Sequence, residues 1–499
     1  METRILETFP STAESGRMVV VAATVLILGA AAGAAFAAFG PMASAGLLGI
    51  AVVVATLRSP AIGLALLAFL IPVESAIVAA GGDKAVKALL ILVVLAWLVR
   101  KILTRESFRP VFASPFVILA MLFLVLAVTS TTWALHTTMI QSQLARLASV
   151  IALSIVAADV TRDGRKADLV IRMLVLGSLV AVVLTLVQYF GVGGVRRAGG
   201  DITGGINATA LLFVSVVPFA FYLFRGGGPP VWRLLGLAYV AAALIAVSVT
   251  FSRMSMLLLP LLLLVELGAT IRTKRGILAV LFLFVVALPV AWLVLPLDKI
   301  IDRASTIGPY VEQTLGGSEP GLARVSSRGF HLKVATEIFA EHPIVGVGYG
   351  NFGMFFLQYQ LDVPGSSHLY RRPRSAHSSY FAMLADLGLI GISLFLALMF
   401  VAGFAAWTAV RQLKPPGGRD QLRARALFIC ILVQGMYGFY TELHRDKFFW
   451  LVLGMGSAVV ALVGSRSAAG DPAAGDAQAT ALPLRPESRP DVIPIARLT

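Results

Sequence analysis

Apolar runs of about 18 to 25 residues recur along most of this chain, and each is long enough to cross a bilayer as a helix. The first, MVVVAATVLILGAAAGAAFAAF, occupies residues 18–39. Lipid offers the backbone no hydrogen-bond partners, so only helices and closed barrels can span it. The alternating ten-residue pattern of a barrel strand is missing. The chain is therefore read as an all-α polytopic membrane protein. Its charge content agrees: 13% of residues are charged, against about 25% in soluble domains.

About 14 transmembrane helices are expected, at 18–39, 42–57, 60–79, 84–103, 114–134, 142–160, 167–190, 206–224, 231–250, 254–271, 276–296, 378–408, 422–441 and 446–464. This divides the chain into a cytoplasmic N-terminus (1–17), a bundle (18–296), one large outer loop (297–377), the last three spans (378–464) and a disordered cytoplasmic tail (465–499). No cleavage signal precedes the first span, so an uncleaved start is expected. The net charge of +15 does not indicate nucleic acid in such a chain. Cations cluster in alternate turns, as in Arg100-Lys101, Arg162, Arg165-Lys166, Arg272 and Lys274-Arg275. Such enrichment marks the cytoplasmic side and puts both termini inside. The single cysteine, Cys430, lies in an apolar run and has no partner for a disulfide.

Some arginines fall on the outer side, against that rule: Arg196, Arg197, Arg253, Arg303, Arg324, Arg328, Arg371, Arg372, Arg374 and Arg445. Arg371, Arg372 and Arg374 read as solvated loop charges. Arg253, in VTFSRMSMLLL, sits at the seam between two spans, where a charge is costly and usually has a purpose. Within the outer loop an amphipathic helix is expected over 327–341, because Phe330, Val334, Ile338 and Phe339 share helical spacing. It would be capped by Ser326 or Ser327 and ended by His342-Pro343. GVGYG, at 346–350, resembles a phosphate-cradling loop but has neither a preceding strand nor a following helix with lysine.

No DxD, HExxH, GxSxG, Walker or CxxC pattern occurs, and no outer carboxylates pair as metal ligands. No metal and no cofactor are expected. What remains outside is arginine, histidine and hydroxyls. Arginine forks recognise phosphates, and neutral histidine is a general base near neutral pH. Together they suit a reaction whose leaving group is a diphosphate. His377, at the mouth of the span beginning HSSYF, is the best base, although a histidine there could instead cap or anchor the helix. His342 reads as structural, and His331 and His368 as exposed. His444 lies in YTELHRDK beside Glu442 and Arg445, a turn that could contribute to binding. Asp386, buried in a span, needs a partner such as an arginine.

SRGFHLKVATEIFAEHPIVGVGYGNF followed by HSSYFAMLADLGLIG resembles the signature of the O-antigen ligase and polymerase superfamily over about 65 residues. TFSRMS, and RRAGGDITGGINATALLF around Asn207, resemble two further family segments; Asp201 and the lack of a proline before Asn207 depart from the usual form. The resemblance implies a GT-C-like, metal-independent glycosyltransferase of the bacterial inner membrane with its active site on the periplasmic face. It implies His377 as the catalytic base, and Arg253, Arg328 and Arg197 with the donor diphosphate; Arg196, Glu442 and Arg445 complete the candidate substrate-binding set. The implied donor is undecaprenyl-diphosphate-linked glycan. The implied acceptor is lipid A-core in a ligase, or another lipid-linked repeat in a polysaccharide polymerase. The alternative is a lipid-linked oligosaccharide flippase, which would line an internal cavity with its arginines and would not need a histidine at a helix mouth.

Overall fold

The computed structural model describes residues 46–191, 198–199, 205–226, 228–270, 327–363 and 370–463. The expected spans 18–39 and 276–296, the loop before residue 327, Arg196, Arg197, His368 and the tail lie outside the described residues. Every regular element among the described residues is helical. In chain order they are α1 (Gly46–Arg58), α2 (Pro60–Leu70), α3 (Glu74–Ala79), α4 (Asp83–Leu103), α5 (Arg109–Phe112), α6 (Pro115–Thr129), α7 (Thr137–Val160), α8 (Gly164–Gly191), α9 (Ile206–Arg225), α10 (Pro230–Thr250), α11 (Arg253–Thr270), α12 (Ser327–Glu341), α13 (Phe352–Tyr359), α14 (Ser379–Gln412), α15 (Arg419–Tyr437) and α16 (Lys447–Ala458).

Seven stretches are long and apolar enough to cross a membrane: Pro60–Ala79, Pro115–Thr132, Ile140–Val160, Gly164–Gly191, Ile206–Arg225, Pro230–Thr250 and Ser379–Gln412. The chain is thus a polytopic helical membrane protein, with seven such stretches among the described residues against about 14 expected along the whole chain. Large apolar side chains face outward, among them Ile91 and Leu95 of α4 and Phe400 and Phe404 of α14. In lipid that exposure carries no hydrophobic penalty, so helices associate through close packing at small residues instead. A Cβ on Gly177 of α8 would lie 2.1 Å from the Phe69 carbonyl oxygen of α2, and one on Gly454 of α16 would lie 2.3 Å from that of Ser154 in α7.

One end of the bundle is fastened by buried ions. Asp168 at the head of α8 receives Arg419 (2.6 Å) and Arg423 (2.7 Å) from α15, and a hydrogen bond from the Tyr222 hydroxyl at the foot of α9. Each charge meets its opposite, which is what makes burial of Asp168 and Arg423 tolerable. The candidate site is built at the other end of α9 and α15.

α12 stands where the apolar stripe predicts a helix. It buries Phe330, Val334, Ala335 and Ile338 and packs on α14.

Candidate active site

The site rests on an interruption of α14. Gly388 has φ +61° and ψ −156°, so two helices meet there instead of running on as one. The break frees backbone groups that lipid could not satisfy. The segment following α12 satisfies them. Val347 N–H donates to the Ala385 carbonyl (3.0 Å) and Gly348 N–H to that of Asp386 (2.8 Å). Leu389 N–H donates to Pro343 (2.8 Å) and Ile390 N–H to Ile344 (3.3 Å).

Two glycines permit this approach. A Cβ on Gly388 would lie 2.5 Å from the Ile344 carbonyl carbon, and one on Gly346 (φ +65°) 2.4 Å from that of Asp386. The Asp386 carboxylate then accepts the N–H groups of Gly350 (2.8 Å) and Phe352 (2.7 Å). Asp386 is thus held by two backbone amides, and the expected arginine partner is Arg445, whose charge acts on it across the site. GVGYGNF and ADLGLIG are the two halves of one structure, and the glycine turn binds protein backbone.

Immediately above this staple, α14 begins at the HSS sequence. Ser379 N–H donates to the Gly438 carbonyl (2.7 Å) and the Ser379 hydroxyl to that of Thr441 (2.7 Å), while Leu443 N–H donates back to the same hydroxyl (2.7 Å). Ser378 hydroxyl also reaches the Gly438 carbonyl, at 3.2 Å. On the other side of His377, Ala376 N–H donates to the Glu442 carboxylate at 3.0 Å. His377 is gripped between these anchors at φ +54°. That left-handed conformation is uncommon outside glycine and persists only where the surroundings enforce it.

The His377 ring lies edge-on to His331, with ring centroids 5.2 Å apart, and its Nδ1 is 3.4 Å from the Ser375 hydroxyl. His377 keeps part of its surface open to solvent. Partial desolvation, then the adjoining His331, Arg328 and Arg374, push its pKa down to about 4. His377 is therefore neutral at pH 7 and able to accept a proton. His331 corrects the expectation of exposure: it is buried, stacked on Phe356 at 4.7 Å and flanked by Tyr370. It sits three and four residues before Val334 and Ala335, on the buried stripe of α12, a signal that was present in the sequence.

Arg328, in the first turn of α12, holds its guanidinium 6.0 Å from the Tyr440 ring. Tyr440 belongs to the same 438–443 turn that grips α14. Arg253 opens α11, which follows Phe251 in a left-handed conformation. The flanking serines fasten that helix start: Ser252 hydroxyl donates to Asn207 Oδ1 (3.2 Å), and Ser255 hydroxyl pairs with that of Tyr437. Tyr437 directly precedes the turn. Arg328, His377 and the start of α11 thus converge on residues 437–443.

Glu442 and Arg445 pair with each other at 3.4 Å. Arg445 is largely enclosed; burial alone would lower its pKa, but Glu442, Tyr349 and Asp386 raise it. Both residues act in the structure as braces for the His377 segment. His444 is wholly buried beneath them, its pKa lowered by burial and then by Arg445 and Arg146. His342 is exposed at the end of α12. Among the described residues no group of His, Cys, Asp and Glu could hold a metal ion.

A membrane-embedded helical bundle with a neutral histidine and arginines at one end is the class of protein defined so far. Residues 238–396 match the family model described as O-antigen ligase. The matched region includes Arg253, Arg328, His377 and the whole Asp386 staple, while Glu442 and Arg445 lie beyond it. No curated protein matched the chain.

Proposed function

We propose that this protein transfers a glycan from undecaprenyl diphosphate to an acceptor hydroxyl at the periplasmic face of the inner membrane. The family points to lipid-linked glycan transfer in general. The observation that carries the specific reading is His377: neutral, partly open, held in a strained backbone and adjoined by Arg328 and Arg374. In this reading the acceptor hydroxyl gives its proton to His377 as its oxygen attacks the anomeric carbon of the donor sugar. The bond from that carbon to the diphosphate oxygen breaks, and the diphosphate leaves with the electron pair. Arg328 and Arg253, with Arg197 and Arg196, take up the charge that develops on it. An arginine fork does this with two parallel hydrogen bonds, which lysine cannot copy. Glu442 and Arg445 position the base.

A diphosphate bound beside Arg328 and Arg374 offsets their positive charge. It thereby raises the proton affinity of His377 at the moment a base is needed.

The experiment is glycan transfer by purified protein. His377→Ala is expected to lose activity by about 100-fold or more, the usual worth of a general base, while eluting as a folded protein. Undiminished transfer would end this reading. A deletion strain separates the two acceptors: bare core with polymer stranded on carrier lipid indicates a ligase, and single repeats on the surface indicate a polymerase.

A further inference from the structure

A cavity of about 710 Å³ lies apart from His377 and is bounded by α3, α4, α7, α9 and the head of α16. It belongs to the same end of the bundle. Arg146 in its wall donates through Nε to the Arg445 carbonyl at 3.1 Å, and Arg445 pairs with the Glu442 that holds Ala376. The 442–446 turn therefore has His377 on one face and this cavity on the other.

The cavity is amphiphilic. Its walls include Val78, Ile91, Leu211 and Leu212. Ile91 is 57% exposed and Val78 45% exposed, so exposed apolar surface adjoins the cavity. Its charges are uneven. Glu74 pairs with Lys447, and Asp446 accepts the Phe448 and Phe449 N–H groups at the head of α16. Lys87, Arg146 and Lys447 against Glu74 and Asp446 give the lining a formal excess of positive charge. The two terminal nitrogens of Arg146 make no hydrogen bond among the described residues, and the charge they carry acts on Asp446. Their fork suits phosphate oxygens.

We propose that this cavity seats the phosphate-bearing head of a second lipid-linked substrate, the acceptor, with its tail leaving past Ile91 into the bilayer. This rests on the transfer reading for the lipid's role as acceptor; the binding itself does not. A reaction between two membrane-anchored molecules needs two seats, and the 442–446 turn links this cavity to the segment that carries His377.

The test uses the full chain in detergent micelles and farnesyl phosphate as probe, with farnesol, inorganic phosphate and phosphatidylglycerol as comparisons. Farnesyl phosphate is expected to bind at least about tenfold more tightly than each of the other three. Arg146→Gln, which removes the fork, and Ala145→Trp, which fills the mouth without removing a bond, are each expected to weaken it about tenfold. Should either fail to elute as folded protein, Lys87→Gln at the exposed rim carries the same expectation. His377→Ala is expected to bind as wild type. Unchanged binding in the folded cavity variants would overturn the proposal. So would equal affinity for inorganic phosphate, which marks a free-anion site, or for phosphatidylglycerol, which marks a seat for bulk lipid. Normal transfer by His377→Ala would refute the transfer reading alone and leave the binding result standing.

Discussion

Replacing Asp386 by alanine tests the staple that supports the site. The carboxylate is wholly buried and accepts two amide hydrogen bonds, from Gly350 at 2.8 Å and Phe352 at 2.7 Å. Each amide left without its acceptor stays desolvated, at a cost of about 1–3 kcal/mol. The local loss is therefore about 2–6 kcal/mol. At 1.4 kcal/mol per decade, opening of the 343–352 segment becomes about 30- to 10⁴-fold more frequent. Asp386→Asn keeps one acceptor oxygen and presents an NH₂ group to the other amide, so about half that loss is expected. Hydrogen exchange of the full chain in detergent reads this directly. Peptides covering Gly350 and Phe352 should lose protection in the order Ala, then Asn, then wild type. Glycan transfer should fall in the same order, because α14 carries His377 at its head. Wild-type protection of both amides in Asp386→Ala would refute the argument.

Three further predictions concern neighbouring parts of the site. Gly388→Ala adds a Cβ 2.5 Å from the Ile344 carbonyl carbon at φ +61°. Strain and overpacking together should cost about 2–6 kcal/mol and lower the thermal midpoint sharply, whereas Gly191→Ala, with nothing within 4 Å, should not. The acid limb of kcat/KM, which reports the free enzyme, should follow His377. Activity is retained while the ring is neutral and lost as it protonates, so the limb is expected near pH 4, and a wild-type limb at the ordinary 6.5 would contradict the assignment. Arg328→Ala removes one of the cations that depress His377, so it should move that limb to higher pH and weaken donor use; Arg328→Lys should restore the limb but not full donor affinity.

Much of the bundle was legible as hydropathy, because lipid forces the chain to satisfy its backbone within each span. α12 was legible because Phe330, Val334 and Ile338 recur at helical spacing around one buried face. The same stripe contained His331, but a histidine beside a loop reads as solvated unless its register is weighed against Val334 and Ala335. The break in α14 was not legible. ADLGLIG is apolar enough to continue a helix, and a positive φ inside such a run leaves no trace in hydropathy. Nor was the role of the GVGYG turn, whose carbonyl and carboxylate partners lie some forty residues later in the chain. His377 could be nominated from its position at a helix mouth and from the family resemblance. Its grip by Gly438, Thr441 and Glu442 depends on packing between distant segments.

The interruption at Gly388 also separates the rotational phase of the two parts of α14. In an unbroken helix each inserted residue turns everything beyond it by about 100°. Here the upper part is indexed by its own bonds to the 343–352 segment and to the 438–443 turn. A residue added or removed below Ile390 therefore re-registers the lipid-embedded part without turning His377. The part beyond Ile390 can drift in sequence length and tilt, while the angular setting of the base is kept by the part before the break.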